Sequence, residues 1–208
     1  GCEVLESIGD MPKLQTIGNY AFAEQTVTDE DSGTVTTVSC RSLKTIGNLD
    51  SVTRIGSEAF SGCRELESIG ALPNVTRIAF GAFQNCEKLK KVEGLGKLTA
   101  INRNTFTGCT SLKSIGNLLN VTSIGEQAFA GCASLESIGN LQNVKSIGSS
   151  AFGSYVCYDE NHMYQHVYCT SLKSIGDMPK LETIGASAFE CCSSLESVGD
   201  LSSVTSIG

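Results

Sequence analysis

Two aliphatic residues set three apart, followed by a second such pair nine residues on, return along almost the whole chain. The first pair is Leu43-x-x-Ile46, recurring as Leu66/Ile69, Leu89/Val92, Leu112/Ile115, Leu135/Ile138, Leu172/Ile175 and Leu195/Val198. The second is Val52-x-x-Ile55, recurring as Val75/Ile78, Leu98/Ile101, Val121/Ile124, Val144/Ile147, Leu181/Ile184 and Val204/Ile207. Stretches this short, β-branched and bounded by Gly, Asn, Asp and Pro, predict strands and not helices. Ala-Phe follows the second pair at Ala21/Phe22, Ala59/Phe60, Ala82/Phe83, Ala128/Phe129, Ala151/Phe152 and Ala188/Phe189, with Thr105/Phe106 as the variant. A cysteine then opens the next copy. Cys40, Cys63, Cys86, Cys109 and Cys132 lie 23 residues apart, and Cys169 and Cys192 resume that spacing after one longer interval.

A fixed period of this size is the mark of a solenoid, in which each unit buries its apolar face only against its neighbours. With Cys2 the copies number about eight. The expected fold class is α/β leaning to all-β, with two parallel sheets on the two sides of a flattened coil and rungs about 4.8 Å apart. Residues 1–208 are expected to be one solenoid segment of a longer protein, since the chain begins and stops inside a repeat and shows no capping unit. One phenylalanine per rung predicts a buried ring column formed by Phe22, Phe60, Phe83, Phe106, Phe129, Phe152 and Phe189.

Two insertions interrupt the count, and both leave just after Ala-Phe. The interval from Phe22 to Cys40 is 15 residues longer than the standard one, and that from Phe152 to Cys169 is 14 longer. Five rungs apart, they should project from one edge about 24 Å from each other. The first alternates Thr and Val around an acidic, Gly-containing turn from Thr26 to Val38, which is a hairpin pattern. The second, residues 154–168, is either a short helix capped by Asp159 or a hairpin turning at Asp159 to His162. The parallel with the first favours the hairpin.

That second insertion holds Tyr155, Tyr158, Tyr164 and Tyr168, four of the chain's five tyrosines, and both histidines, His162 and His166. Tyrosine offers large, rigid contact area with a polar tip, so these residues are candidate partner contacts. The histidines would make such binding respond to pH between about 5.5 and 7.5. Cys157, His162, His166 and Cys169 have the residue types of a zinc site, but Cys169 belongs to the repeating column, and no metal or other cofactor is expected. Eight of the ten cysteines share one equivalent position and point the same way, which predicts buried free thiols. Cys157 and Cys191 stand outside that pattern in adjacent rungs and are expected to form one disulfide stapling the loop.

Charge narrows the function classes. A net charge of −7 argues against a nucleic-acid face. The local run Lys88, Lys90, Lys91, Lys97 and Arg103 is interleaved with Glu87 and Glu93, as on a solvated face. Outward positions of the first strand alternate in sign, from Glu6, Lys44 and Glu67 to Glu136, Lys173 and Glu196, except at Lys90 and Lys113. The Lys90, Lys91 and Lys113 area is therefore the expected docking spot for an anion. No apolar run approaches the ~18 residues of a membrane span. The scaffold carries no histidine, so nucleophile pairs of the Ser-His or Cys-His kind could form only on the loop. The expectation is a protein that is not an enzyme.

The repeat, best seen in Val-Thr-Ser-Ile-Gly-Glu-Gln-Ala-Phe-Ala-Gly-Cys at 121–132, resembles the BspA-like leucine-rich repeats, the cysteine-bearing class found on surfaces of gut and oral bacteria and some parasitic protists. The family's Leu-x-x-Ile-x-Ile-Pro reads here Leu-x-x-Ile-Gly-Asn-Leu. An Asn/Asp column at Asp10, Asn48, Asn117, Asn140, Asp177 and Asp200 thus replaces an inward apolar residue and is expected to bond the next rung's backbone. The resemblance implies a secreted or surface-displayed bacterial module, monomeric, adhering to an extracellular protein or glycan. The alternative is a structural spacer holding another domain off the cell wall.

Overall fold

The computed structural model describes residues 2–28, 35–158 and 163–208. Most aliphatic pairs end in a two-residue strand whose second member is Ile or Val, and strands of successive rungs pair in parallel, as with Ile over Ile. The first ladder runs through Ser7–Ile8, Thr45–Ile46, Ser68–Ile69, Lys91–Val92 and Ser114–Ile115 and continues as single bridges to Ser137, Ser174 and Ser197. The second runs through Thr16–Ile17, Arg54–Ile55, Arg77–Ile78, Ala100–Ile101, Ser123–Ile124, Ser146–Ile147, Thr183–Ile184 and Ser206–Ile207. The strands are shorter than the apolar stretches because the leading aliphatic residue sits in a turn. Leu66 N–H donates to the Cys63 carbonyl at 3.1 Å and Val75 N–H to the Leu72 carbonyl at 3.2 Å, and other rungs repeat this. Among the described residues there is no α-helix, only a 3-10 turn at Leu95–Lys97. The fold lies at the all-β end of the expected class.

Neither sheet is continuous. Both ladders break between the rung of Ile69 and Ile78 and the rung of Val92 and Ile101. In the intact second ladder a glycine N–H after the strand donates to the previous rung's isoleucine carbonyl, as from Gly56 to Ile17 at 2.9 Å and from Gly125 to Ile101 at 2.8 Å. At the break Asn102 holds that place, and its side-chain Nδ2 donates to the Ile78 carbonyl instead. The phenylalanine column passes straight through, with centroid steps of 5.2 Å from Phe60 to Phe83 and 5.5 Å from Phe83 to Phe106.

Five of the stacked rings, Phe60, Phe83, Phe106, Phe129 and Phe152, are fully buried. Phe22 and Phe189, expected to be buried too, are only partly so, because each ends the column and lacks a ring on one side. The cysteine column does more than fill space. From Cys63 onward each thiol of the column donates to the carbonyl of the phenylalanine one rung earlier, Cys86 to Phe60 at 3.2 Å, Cys109 to Phe83 at 3.1 Å and Cys169 to Phe129 at 3.0 Å. A side chain this small with one weak donor fits an otherwise apolar slot that contains one carbonyl to satisfy. The Asn/Asp column behaves differently from expectation. Asp10 does accept from the next rung's Asn48 N–H at 2.7 Å. Asn48, Asn117, Asn140 and Asp200 instead accept from the N–H two residues on in their own rung, closing Asx turns. Rung-to-rung amide bonds come from a different column, Asn74, Asn120 and Asn143, whose Nδ2 atoms donate to the Asp50, Gly96 and Leu119 carbonyls.

Each Ala-Phe turn is entered through a left-handed residue: Tyr20, Glu58, Gly81, Asn104, Gln127, Ser150 and Ser187 all have φ between 50° and 59°. For a residue with a Cβ that conformation costs about 1–2 kcal/mol, only partly recouped from the unfolded state's smaller freedom relative to glycine. Ser187 is exposed, so little else changes when it is replaced. Ser187→Gly should raise stability by roughly 0.5–1 kcal/mol and Ser187→Val should lower it by about 1–2 kcal/mol. Urea midpoints for the two variants decide the matter, and equal midpoints would overturn it.

Candidate functional site

A second left-handed column precedes the repeating cysteine, at Gly62, Asn85, Gly108, Gly131 and Cys191, with φ between 56° and 76°. Glu24 and Ser154 hold the equivalent places where the insertions leave, and neither has a positive φ. At these two positions, without the left-handed turn, the chain leaves the rung. Both insertions form antiparallel hairpins, Gln25–Thr28 with Val35–Val38 and Tyr155–Tyr158 with Tyr164–Val167. Five ring steps of 5.2–5.5 Å separate the rungs they leave from.

In the second hairpin, register sorts the candidate residues by face. Tyr155 pairs with Val167 and Cys157 with Gln165, and the alternate pair is Val156 with His166. Tyr155, Cys157 and Val167 are half-buried, whereas Val156, His166 and Tyr164 are exposed, Tyr164 to 71%. Met163, at the start of the returning strand, is 64% exposed. Tyr168 closes the base with its ring stacked on His166 at 6.0 Å. The side chain of Tyr158 and the whole of His162 lie outside the described residues.

Tyr155 anchors the hairpin by lying back over the earlier rungs. A Cβ on Gly131 would come 2.6 Å from the Tyr155 Cβ, and one on Gly108 would come 3.1 Å from its Cε1. Glycine is thus needed at both places, for the left-handed turn and for the ring above it. Burial pushes the Tyr155 phenol above its ordinary value, and a hydrogen bond with the Asn85 side chain opposes that shift. At the hairpin's root Ser154 Oγ donates to Glu190 Oε2 at 3.0 Å.

This lean works against the expected staple. Cys191 lies one rung beyond the hairpin and Tyr155 crosses to the rungs before it, so the two sulfurs are not bonded: Cys157 and Cys191 are both free thiols. Cys157 Sγ faces the Gln165 carbonyl across the hairpin at 3.8 Å. Cys169 is buried and bonded to Phe129, and among the described residues no three His, Cys, Asp or Glu side chains come together as a metal site.

The predicted lysine spot is mostly neutralised pair by pair. Lys90 meets Glu67 at 2.6 Å, Lys91 meets Glu93 at 3.2 Å and Lys88 meets Glu65 at 2.7 Å, with Arg64 on Glu87 at 3.1 Å. Lys113 is exposed and has no ion pair among the described residues. Of the alternating column, Lys44–Glu6 at 3.1 Å and Lys90–Glu67 are in contact, whereas the steps from Lys113 to Glu196 are not ion-paired among the described residues. Residue type alone did not single out Val156 and Met163 as exposed contacts, and only the register of the hairpin reveals them.

Among the described residues no helix is long and apolar enough to cross a membrane. No curated protein matches the chain. Among solved structures it is similar to a leucine-rich cell surface protein from Faecalibacterium prausnitzii, with TM-score 0.69 and 24% identity over 97% of this chain and 48% of that one. It therefore spans about half the length of that protein. A leucine-rich repeat protein of T. pallidum aligns with TM-score 0.69 and 24% identity, covering 96% of this chain and 86% of that one. One from Bacteroides ovatus gives TM-score 0.59 and 29% identity, covering 100% and 55%. The model of the BspA type leucine-rich repeat region matches residues 36–159 and 156–208 in six copies, and by the repeated strand pair, phenylalanine column and cysteine column described above the chain belongs to that family.

Proposed function

We propose that the chain is a non-catalytic recognition module displayed at a bacterial surface, which holds an extracellular protein or glycan through its second hairpin. The observation that carries this reading is the two-faced build of that hairpin. One face spends Tyr155 on the solenoid, and the other presents Val156, Tyr164 and His166, next to Met163, to solvent. An anchored hairpin offers its aromatic and apolar side chains without the ordering cost that a loose loop would bear. The fold itself has no use for them, since each rung closes without an insertion elsewhere in the stack. Tyr168 and His166 form the polar rim, and Lys113, without an ion pair among the described residues, supplies a cation on the solenoid for an acidic partner.

Removing residues 154–167 joins Gly153 to Tyr168 and restores the Phe-x-x-Cys spacing of the other rungs, so the variant should fold. With Tyr168→Gly added, the left-handed position before Cys169 is filled by the residue it favours. In a screen against immobilised host proteins and glycans, the intact chain should capture a partner that the folded deletion variant loses. Undiminished capture by the variant would overturn this reading and leave the solenoid as a spacer.

A further inference from the structure

On the second ladder, Arg54 and Arg77 are register partners in adjacent strands. The same column elsewhere holds Thr16, Ala100, Ser123, Ser146, Thr183 and Ser206, all small. Both arginines are exposed and neither takes part in an ion pair among the described residues, although Arg41, Arg64 and Arg103 all do. Like charges set directly opposite across strands repel, so two unpaired guanidinium groups one rung apart form a site that an anion would relieve. They border a shallow groove of about 430 Å³ whose other lining includes Asn19, Ser57 and Ala79. One residue past Ala79, Phe80 is 39% exposed, and Tyr20, next to Asn19, is 46% exposed.

We propose that Arg54, Arg77 and Phe80 form a subsite for an acidic sugar, with the uronate carboxylate bridging the two guanidinium forks and the pyranose ring against the aromatic face. Guanidinium is the group suited to bidentate carboxylate recognition. The apolar C–H face of a pyranose packs on an aromatic ring, while Asn19 and Ser57 match its hydroxyls. Three rungs span roughly 10 Å, about two sugar rings. An acidic peptide fits less well. The groove lies on a sheet face whose backbone is already committed, Gly56 N–H to Ile17 and Ala79 N–H to Ile55, so no strand can add there.

The test is calorimetric titration of the full chain with an oligogalacturonate, a neutral galactose oligomer of equal length and a polyglutamate peptide. The oligogalacturonate should bind, more weakly as salt rises, and the neutral oligomer should not. Arg54→Ala/Arg77→Ala should weaken that binding at least tenfold and Phe80→Ser several-fold, in proteins whose circular dichroism is unchanged. The variant lacking residues 154–167 should bind the oligogalacturonate as the intact chain does, which keeps this site separate from the hairpin's partner. Unchanged affinity in the double arginine variant would overturn the site, and polyglutamate binding that ignores Phe80→Ser would assign it to an acidic peptide instead.

Discussion

Between pH 7.5 and 9.5 the solenoid should lose about 7 kcal/mol of stability, driven by its buried thiols. Cys63, Cys86, Cys109, Cys132 and Cys169 are free and buried in one column. Burial raises the pKa of each, to about 12 for Cys63 and Cys169 and upward also for Cys86, Cys109 and Cys132. An unfolded cysteine ionises near 8.5. Because the folded pKa is the higher one, the folded state holds its protons where the unfolded state releases them. The associated stability is complete below about pH 7.5 and is lost as pH rises through the unfolded value toward the folded one. One unit above the unfolded pKa each thiol contributes roughly 1.4 kcal/mol of loss, and five together approach the whole stability of an ordinary domain. Thermal midpoints by circular dichroism at pH 7.5, 8.5 and 9.5, read with thiolate absorbance, measure the effect. A midpoint unchanged at pH 9.5 would sink it. Cys132→Ala should remove one proton from the pH slope.

Much of the architecture was legible because a period of 23 residues repeats one environment many times. Ile46, Ile69 and Ile115 had to lie over their counterparts once the copies were aligned, and Phe83 over Phe60. What one copy does within itself was less visible. Strand length was misjudged because a turn bond from Leu66 to Cys63 leaves no sequence mark beyond the leucine. The column entered with positive φ mixes Tyr20, Glu58, Asn104, Gln127 and Ser187, with Gly81 its only glycine, so composition hid a conformation that all seven rungs share. The break in the second ladder falls at one residue, Asn102, whose side chain takes over a backbone bond. In the second hairpin the concentration of tyrosine was plain. Which tyrosine anchors was not, because that depends on strand register and on the space left above Gly131 and Gly108. The pairing of Cys157 with Cys191 assumed a direction of lean that the anchoring of Tyr155 reverses.

Phe129→Ala should cost about 3–5 kcal/mol, the range for truncating a fully buried phenylalanine. Its ring lies between Phe106 at 5.4 Å and Phe152 at 5.3 Å, nearly parallel to both. Neither neighbour can move in to fill the space, since the backbone of each is tied to the following rung: Phe106 N–H donates to the Ala128 carbonyl at 2.9 Å and Phe152 N–H to the Ala188 carbonyl at 2.8 Å. The cavity therefore stays open, and two stacking contacts are lost along with the buried area. Phe189 ends the column with one stacked neighbour and partial exposure, so Phe189→Ala should cost no more than about half as much. In a solenoid, stability is a sum over rungs and their interfaces, and a weakened centre should divide the array where a weakened end only frays. Urea unfolding followed by circular dichroism should show a single transition for Phe189→Ala and a lower or broadened one for Phe129→Ala. Equal costs at the two positions would mean that the rings do not carry the stack.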